Sequence, residues 1–278
     1  MTRLKTGDIR QIPSCLSAYE RKLIAITGRS LLGIASYACG VDETEVMHQR
    51  KNFSIHVIPG TAGQGIITNF SETVCAILNF LGFNAQVSDQ SDTSGLASAY
   101  ERKANAIMMA DDNRFVGINL KTRRVVDNVE MTGRVFAAVL DLMTGGVRDC
   151  PVLVMGCGPV GESAAEKLLH LGACVVLYDN HLNTAMRLKQ RLSGHFKSLL
   201  IQVEEEPISG FSRYPYILDA TPSENTIPDA LISDHMFVAA PGVPLGVSKN
   251  GCKLLENRLI HDKLELGVAA MAAALVSQ

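Results

Sequence analysis

Three glycines and one aspartate form the most specific chemical pattern in this sequence. Gly156, Gly158 and Gly161 make a G-x-G-x-x-G run directly after an apolar segment, and Asp179 follows 18 residues after the last glycine. In such a run the glycines permit a tight turn, close approach of the backbone to a pyrophosphate, and close packing of a helix on a strand. A glycine turn without a ligand is the alternative. The pattern predicts a dinucleotide site at Gly156, Cys157, Gly158, Pro159, Val160, Gly161 and Asp179.

The surroundings of Asp179 also bear on which dinucleotide binds. A carboxylate here accepts hydrogen bonds from ribose hydroxyls and repels a 2′-phosphate, and the following Asn180-His181-Leu182 include no arginine to receive one. The sequence therefore favours NAD over NADP. Ligands of parallel sheets lie beyond the carboxyl ends of the strands. We therefore expect Thr221, Pro222 and Pro241, which follow strand patterns, to border the nicotinamide half, unless they form ordinary turns.

Acidic residues in the first half of the chain follow two other strand patterns. Ser71 and Glu72 stand at a predicted helix start after the glycine-rich run 60–65, and Asp111-Asp112 follow a strand. In one interpretation Ser71 or Asn69 caps the helix, Glu72 interacts favourably with the helix dipole, and the two aspartates form a turn. In the other, both acidic sites face one cleft and bind a substrate that carries ammonium groups. The residues leave both interpretations open.

The elements that would position these residues fall into two regions. The first 50 residues show helical periodicity and predict two or three helices. Between Asn52 and Met109 short apolar runs alternate with amphipathic stretches, which predicts a small parallel sheet. A helical pattern over 131–143 ends at Gly145-Gly146, and this glycine pair is the predicted domain boundary.

From Pro151 onward a cleaner alternation of apolar strands and helices predicts a Rossmann domain, a doubly wound parallel sheet, whose first two strands are Pro151–Met155 and Cys174–Tyr178. The last helical pattern, 264–276, is alanine-rich with few charges, so we expect it to pack between the domains. The sequence thus predicts an α/β protein. A smaller N-terminal helical plus α/β domain spans 1–146, a Rossmann domain spans 147–278, and the substrate cleft lies between them.

The composition excludes several classes of protein. A length of 278 residues indicates about two domains of roughly 150 residues each. With 26 Lys and Arg against 28 Asp and Glu, no field of one sign would attract nucleic acid or an anionic membrane. The longest apolar run, Leu266–Val276, is too short to span a bilayer, and the N-terminus lacks the apolar region of a secretory signal. We therefore expect a soluble, cytoplasmic protein.

Cysteines and histidines give no sign of a metal site. The seven cysteines are scattered and include no C-x-x-C pair, and the seven histidines form no H-E-x-x-H motif. We therefore expect reduced thiols and no bound metal. The sequence leaves the oligomeric state open, with a homodimer as one alternative.

Several motifs together resemble the PylD family of pyrrolysine biosynthesis proteins, and the resemblance covers nearly the whole chain. The motifs of the first half are more specific than the dinucleotide loop. The segments Met1–Asn52 and Leu192–Tyr214 diverge most. The motifs are TAGQGII at 61–67, FSE at 70–72, MADDN at 109–113, GCGPVG at 156–161, ATP at 220–222, PGVP at 241–244 and LGVAAM at 266–271.

The resemblance implies the last step of pyrrolysine biosynthesis, an NAD-dependent amine oxidation. Such enzymes take 3-methyl-D-ornithyl-N6-L-lysine, a lysine derivative, and oxidise its terminal ornithine amine. Water hydrolyses the resulting imine to an aldehyde with loss of ammonia, and the aldehyde condenses with the ornithine α-amine, with loss of water, to close the pyrroline ring of L-pyrrolysine. The alternatives are a shikimate- or methylene-tetrahydrofolate-type dehydrogenase and a non-catalytic NAD-sensing protein.

The resemblance also implies roles for individual residues. Glu72 and Asp112 are the candidate catalytic groups, because no lysine or histidine lies inside the motifs and a carboxylate acting through water is then the preferred base. Leu4 belongs to a first helix that closes over the substrate in the family. The implied substrate-binding residues are Leu4, Asn69, Ser71, Glu72, Asp112, Asn113 and Asn128.

Overall fold

The computed structural model describes residues 4–206, 211 and 213–277. The described residues form two compact units: the first contains residues 4–131 and 263–277, and the second lies within Thr132–Asp262. This division differs from the predicted boundary after residue 146, because Gly145-Gly146, with positive φ angles, ends a helix rather than a unit. The predicted final helix belongs to the first unit.

Within the described residues, four α-helices precede the first strand, where the sequence predicted two or three. Side chains cap two of them. Ser30 accepts a hydrogen bond from the Gly33 N–H at 2.9 Å, and Asp42 accepts one from the Thr44 N–H at 2.8 Å. The helices are α1 (Thr6–Ile9), α2 (Ile12–Thr27), α3 (Leu31–Cys39) and α4 (Glu43–Gln49).

The first unit contains a mixed sheet. Its strands are β1 (Ser54–Ile58), β2 (Asn84–Val87), β3 (Ala106–Ala110), β4 (Phe115–Asn119) and β5 (Val125–Asp127), and helices α5 (Phe70–Phe80) and α6 (Asp92–Glu101) connect the first three. The spatial order is β2-β1-β3-β4-β5. The predicted parallel pairing is confirmed for β1, β2 and β3. β4 and β5 follow the region predicted to be parallel and are antiparallel, since short turns connect them to the preceding strands.

The second unit contains a parallel sheet. Helix α7 (Asn128–Thr144) leads into it, and the division between Met131 and Thr132 falls inside this helix. The remaining elements are β6 (Pro151–Met155), α8 (Pro159–His170), β7 (Cys174–Tyr178), α9 (Leu182–His195), β8 (Ile201–Val203), β9 (Tyr216–Asp219), β10 (Phe237–Ala240), α10 (Lys249–Leu255) and β11 (Leu259–His261).

The strand order β11-β10-β9-β6-β7-β8 identifies the fold of the second unit. Every neighbouring pair is parallel. Read from β8, this is the 3-2-1-4-5-6 order of dinucleotide-binding folds, and its direction reverses between β6 and β9. The predicted Rossmann fold is confirmed. The sequence analysis missed α10 and β11, which are short.

The last helix, α11 (Glu265–Val276), is buried along its whole length. Its small alanine side chains allow close packing within the first unit against α3, α4, α5, β4 and β5. The Asn119 side chain also donates a hydrogen bond of 2.9 Å to the Leu275 carbonyl oxygen. Among the described residues, no helix is both long and apolar enough to cross a membrane.

Two helical glycines differ in what a methyl group would meet. At Gly133, in α7, a Cβ would lie 2.4 Å from the Val160 carbonyl oxygen, whereas at Gly194, in α9, it would meet nothing within 4 Å. We expect Gly133→Ala to lower the free energy of unfolding by about 1–3 kcal/mol through overpacking. The control, Gly194→Ala, should raise it by about 0.5–1 kcal/mol. Urea unfolding measures both, and equal changes would contradict the close packing of α7 on α8.

Candidate functional site

The glycine run forms the turn between β6 and α8. Gly156 has a φ of 85°, which favours glycine, and its N–H donates a hydrogen bond of 2.8 Å to the Tyr178 carbonyl oxygen. Gly158 is the N-cap of α8, and Pro159 occupies the first turn. The N–H groups of Val160 and Gly161 therefore lie where a helix offers no internal partner. This arrangement supplies free backbone donors for an anion.

Gly161 is tightly packed, whereas Gly158 borders open space. A Cβ at Gly161 would lie 1.8 Å from the Gly156 carbonyl oxygen, so only glycine lets the helix backbone approach the turn this closely. A Cβ at Gly158 would meet no atom within 4 Å. Space therefore remains beside Gly158 for a group that approaches the backbone, such as a pyrophosphate.

Asp179 follows β7 and joins the same turn. Its Oδ2 accepts a hydrogen bond of 2.9 Å from the Cys157 N–H, and its Oδ1 accepts one of 2.9 Å from the His181 N–H. The carboxylate is half-buried, and each oxygen has a second lone pair that could accept from a ribose hydroxyl.

The Cys157 thiol serves the packing of this turn. It donates a hydrogen bond of 3.5 Å to the Tyr178 carbonyl oxygen. Burial, with smaller contributions from the charges of Asp179 and Glu162, raises the pKa of the thiol to about 12. Cys157 is therefore a protonated, unreactive side chain near pH 7.

The other predicted cofactor residues follow β9 and β10. Thr221 is half-buried, Pro222 is exposed and Pro241 is buried. The two loops are joined, because the Gly242 N–H donates a hydrogen bond of 3.2 Å to the Asp219 carbonyl oxygen. Asp219 was not among the predicted site residues. Its side chain ends β9 with 1% of its surface exposed. The apolar strand before it was the only available signal.

In the first unit, the glycine-rich loop after β1 lies against the turn after β3. A Cβ at Gly63 would lie 2.1 Å from the Asp112 nitrogen, and one at Gly60 would lie 2.6 Å from the Ala110 carbonyl oxygen. The loop is also held by Asp92, which accepts hydrogen bonds from the Thr61 N–H at 3.1 Å and hydroxyl at 2.6 Å. The sequence motifs around 61–67 and 109–113 thus meet in space.

Two adjacent aspartates in this turn have different roles. Asp111 Oδ1 accepts hydrogen bonds from the Asn113 N–H at 2.7 Å and the Arg114 N–H at 2.8 Å, and these bonds lower the pKa of Asp111. Asp111 is therefore the turn former. The side chains of Asp112 and Asn113 are exposed, and neither makes a hydrogen bond within the described part of the chain.

The start of α5 does not have the expected side-chain cap. Asn69 is the N-cap residue, but it has a left-handed backbone with φ 66° and its side chain accepts no capping hydrogen bond. Ser71 is 5% exposed, whereas Glu72 is exposed, and neither side chain has a hydrogen-bond partner among the described residues. The capping interpretation of Asn69 is therefore wrong. Of the expected local roles of Glu72, only the favourable interaction of a first-turn carboxylate with the helix dipole remains.

The last two predicted substrate residues lie on other elements. Asn128 begins α7, and its side-chain nitrogen lies 3.4 Å from the Met271 sulfur of α11. Leu4 precedes α1 and is half-buried. Across the described residues, no group of three or more His, Cys, Asp or Glu side chains could hold a metal ion.

Comparisons with known proteins place the chain in a family. Residues 8–126 match the N-terminal domain of the pyrrolysine biosynthesis protein PylD, and residues 130–260 match the C-terminal domain of alanine dehydrogenase/PNT. The chain is 30% identical to the pyrrolysine synthase of Methanosarcina barkeri, over 98% of this chain and 97% of the relative. It is 32% identical to that of Methanosarcina acetivorans, over 99% of this chain and 100% of the relative. The chain belongs to the pyrrolysine synthase family. The resemblance seen in the sequence motifs is confirmed.

Solved structures similar to this pyrrolysine synthase family member include two dehydrogenases. Quinate dehydrogenase from Corynebacterium glutamicum, in complex with NAD, has a TM-score of 0.55 and 14% identity, over 81% of this chain and 93% of that one. Shikimate 5-dehydrogenase from Listeria monocytogenes has a TM-score of 0.53 and 10% identity, over 80% of this chain and 91% of that one. These likenesses show the fold alone. The family, together with the alanine dehydrogenase/PNT-type domain at residues 130–260, makes the chain an oxidoreductase.

The open space at Gly158 generates a prediction. Gly158 has a φ of −74°, which any residue adopts, so Gly158→Val should leave the protein folded while filling the space beside the turn. We expect binding of NAD to be lost. Calorimetric titration and circular dichroism measure the two effects. Gly194→Val puts the same side chain into α9 and serves as the control, and undiminished binding by Gly158→Val would show that the turn holds no phosphate.

Proposed function

We propose that this protein catalyses the last, NAD-dependent step of pyrrolysine biosynthesis. The observation that carries the proposal is the similarity to two pyrrolysine synthases over 98% and 99% of the chain. The chain combines a PylD-type first half and a dehydrogenase-type second half in one polypeptide. The proposed substrate is 3-methyl-D-ornithyl-N6-L-lysine, and the proposed product is L-pyrrolysine.

The second unit provides groups that suit NAD. The N–H groups of Val160 and Gly161 suit the pyrophosphate, the space at Gly158 allows its close approach, and Asp179 suits the ribose hydroxyls. When bound, NAD accepts a hydride from the carbon that bears the terminal amine of the substrate. Thr221, Pro222 and Pro241 are proposed to border the nicotinamide half.

The remaining chemistry uses water and the substrate's own second amine. Loss of the hydride leaves an imine, which water hydrolyses to an aldehyde with release of ammonia. The ornithine α-amine then attacks the aldehyde carbon, a C=N bond forms and one water leaves. The pyrroline ring closes in this step. The net change from substrate to product is the loss of two hydrogens and one ammonia.

Glu72 and Asp112 are proposed to hold the amine end of the substrate. An amine releases hydride readily only when it is neutral, and its pKa in water is about 10, so a group must take its proton near pH 7. Both carboxylates are exposed and accept no hydrogen bond among the described residues, in contrast to Asp111. They are free to hold an ammonium group and to accept its proton through water. The other proposed substrate contacts are Leu4, Asn69, Ser71, Asn113 and Asn128.

Incubation with NAD and the methylornithyl-lysine dipeptide tests the proposed function. We expect one NADH for each product molecule, and a product lighter than the substrate by two hydrogens and one ammonia. An open-chain aldehyde would be one water heavier than the closed ring, so mass spectrometry separates oxidation from cyclisation. Absence of NADH from a protein that binds NAD would instead indicate a non-catalytic NAD-sensing protein.

The position of Asp179 predicts the choice of cofactor. Because its carboxylate would repel a 2′-phosphate, we expect the protein to bind NAD at least tenfold more tightly than NADP, a difference of about 1.4 kcal/mol. Asp179→Ser should reduce this preference. Titration calorimetry with both dinucleotides measures it, and equal affinities in the unsubstituted protein would refute the proposed role of Asp179.

The two free carboxylates generate a kinetic prediction. We expect Glu72→Gln and Asp112→Asn each to lower kcat/KM roughly tenfold to a thousandfold, about 1.4–4 kcal/mol, because the substrate ammonium loses a charged partner. The affinity for NAD should hardly change. Steady-state kinetics with thermal melts separates this effect from a loss of stability.

Asp111→Asn is the matched control for Asp112→Asn. The amide oxygen can still accept the hydrogen bonds from the Asn113 and Arg114 N–H groups, so the turn should persist. We expect kcat/KM of this control to stay within about twofold of the unsubstituted enzyme. A lower melting temperature with intact turnover in Glu72→Gln and Asp112→Asn would contradict the proposed substrate contact.

A further inference from the structure

The carboxylate of Asp219 is buried at the end of β9. The residue is 1% exposed, and a charged group taken so far from water needs hydrogen-bond partners. Burial raises the pKa of Asp219, and the hydrogen bonds that it accepts act in the opposite direction. The identity of those partners indicates what the residue does.

Among the described residues, the hydrogen-bond donors to this carboxylate belong to the loop that follows β9. Oδ1 accepts hydrogen bonds from the Thr221 N–H at 3.0 Å and from its hydroxyl at 2.6 Å. Oδ2 accepts one of 2.7 Å from the Thr226 hydroxyl. Asp219 therefore holds both ends of the segment 221–226 against the end of its own strand.

The loop after β10 packs on the same carboxylate. A Cβ at Gly246 would lie 2.0 Å from Asp219 Oδ2, so the absence of a side chain lets this backbone lie against the carboxylate. The Gly242 N–H donates to the Asp219 carbonyl oxygen, and the Ile227 N–H donates to the Gly246 carbonyl oxygen at 3.1 Å. One buried residue thus joins two loops.

These loops lie beside the glycine turn. A Cβ at Gly156 would lie 3.0 Å from the Ala220 carbonyl carbon, and one at Gly161 would lie 3.7 Å from the Ala220 Cβ. β9 is the neighbour of β6 at the point where the strand order reverses. In sheets of this type the ligand lies across that point, beyond the carboxyl ends of the strands.

We propose that Asp219 is a positioning residue for the nicotinamide half of the cofactor. By fastening the loops after β9 and β10, its carboxylate sets the backbone that the nicotinamide contacts, whereas the glycine turn and Asp179 hold the ADP-ribose half. This inference rests on the proposed NAD-dependent function. It assigns a role to a residue that does not itself touch the cofactor.

The test compares NAD with ADP-ribose, which lacks the nicotinamide. We expect Asp219→Ala to lower the affinity for NAD at least tenfold and to change the affinity for ADP-ribose less than twofold. Titration calorimetry measures both affinities. Asp219→Asn retains one accepting oxygen and should show an intermediate loss. Gly158→Val should abolish binding of both ligands.

Asp229 supplies the matched control. It accepts hydrogen bonds from the Ser248 hydroxyl at 2.7 Å and the Asn250 side chain at 3.0 Å. Asp229 therefore joins the same two connections farther along the chain from the strand ends, at the start of α10. Asp229→Ala should leave the ratio of the two dissociation constants unchanged. An equal effect of Asp219→Ala on both ligands, or none on either, would overturn the proposal.

A second variant and the unsubstituted protein complete the test. If Asp219→Ala does not fold, Thr226→Val, which removes the hydroxyl that donates to the carboxylate, should still change the ratio of the NAD and ADP-ribose dissociation constants at least threefold. An unchanged ratio there would overturn the inference. Failure of the unsubstituted protein to bind either ligand would instead refute the proposed NAD-dependent function.

Discussion

The close approach of the α8 backbone to the turn after β6 is the contact on which the proposed cofactor site depends. Gly161 makes it possible, because a side chain there would overlap the Gly156 carbonyl oxygen. The approach places the first-turn N–H groups of α8 at the end of β6 and leaves space beside Gly158. It also lets the Cys157 N–H reach the Asp179 carboxylate at 2.9 Å. Phosphate and ribose groups would thus share one rigid turn.

In the first unit too, a glycine without a side chain allows two backbone segments to pack closely. Gly63 lies against the backbone of Asp112, which brings the loop after β1 onto the turn after β3. Two loops that are distant in sequence therefore form one surface, with Asp112 exposed on it. The left-handed Asn69, without a capping bond, begins the helix that carries Glu72. Backbone packing, rather than side-chain capping, supports the proposed amine-binding residues.

Hydrogen-bond partners separate the carboxylates of this protein by role. Asp111 and Asp219 accept several hydrogen bonds from their own loops, so they maintain backbone shape. Asp179 accepts two and is half-buried, which leaves lone pairs for a ligand. Glu72 and Asp112 are exposed and accept none among the described residues. A carboxylate that accepts no hydrogen bond from its own loop is stabilised most by a nearby ammonium group. Glu72 and Asp112 therefore suit a substrate that carries an amine.

Local patterns in the sequence were enough to predict the Rossmann fold and the glycine turn, because periodicity and turn chemistry depend on neighbouring residues. They located β6 and β7 at their observed bounds and indicated the family through short motifs. The tertiary structure decided which of Asp111 and Asp112 forms the turn, and that Asp219 is buried between two loops. It also decided that α11 belongs to the first unit and that β4 and β5 are antiparallel. The place of α11 and the packing of the loop after β10 on Asp219 depend on contacts between residues far apart in the chain, which no local pattern of residues encodes. The role of Asp111 and the pairing of β4 and β5 depend on the backbone conformation of short turns, which the residue types alone left open.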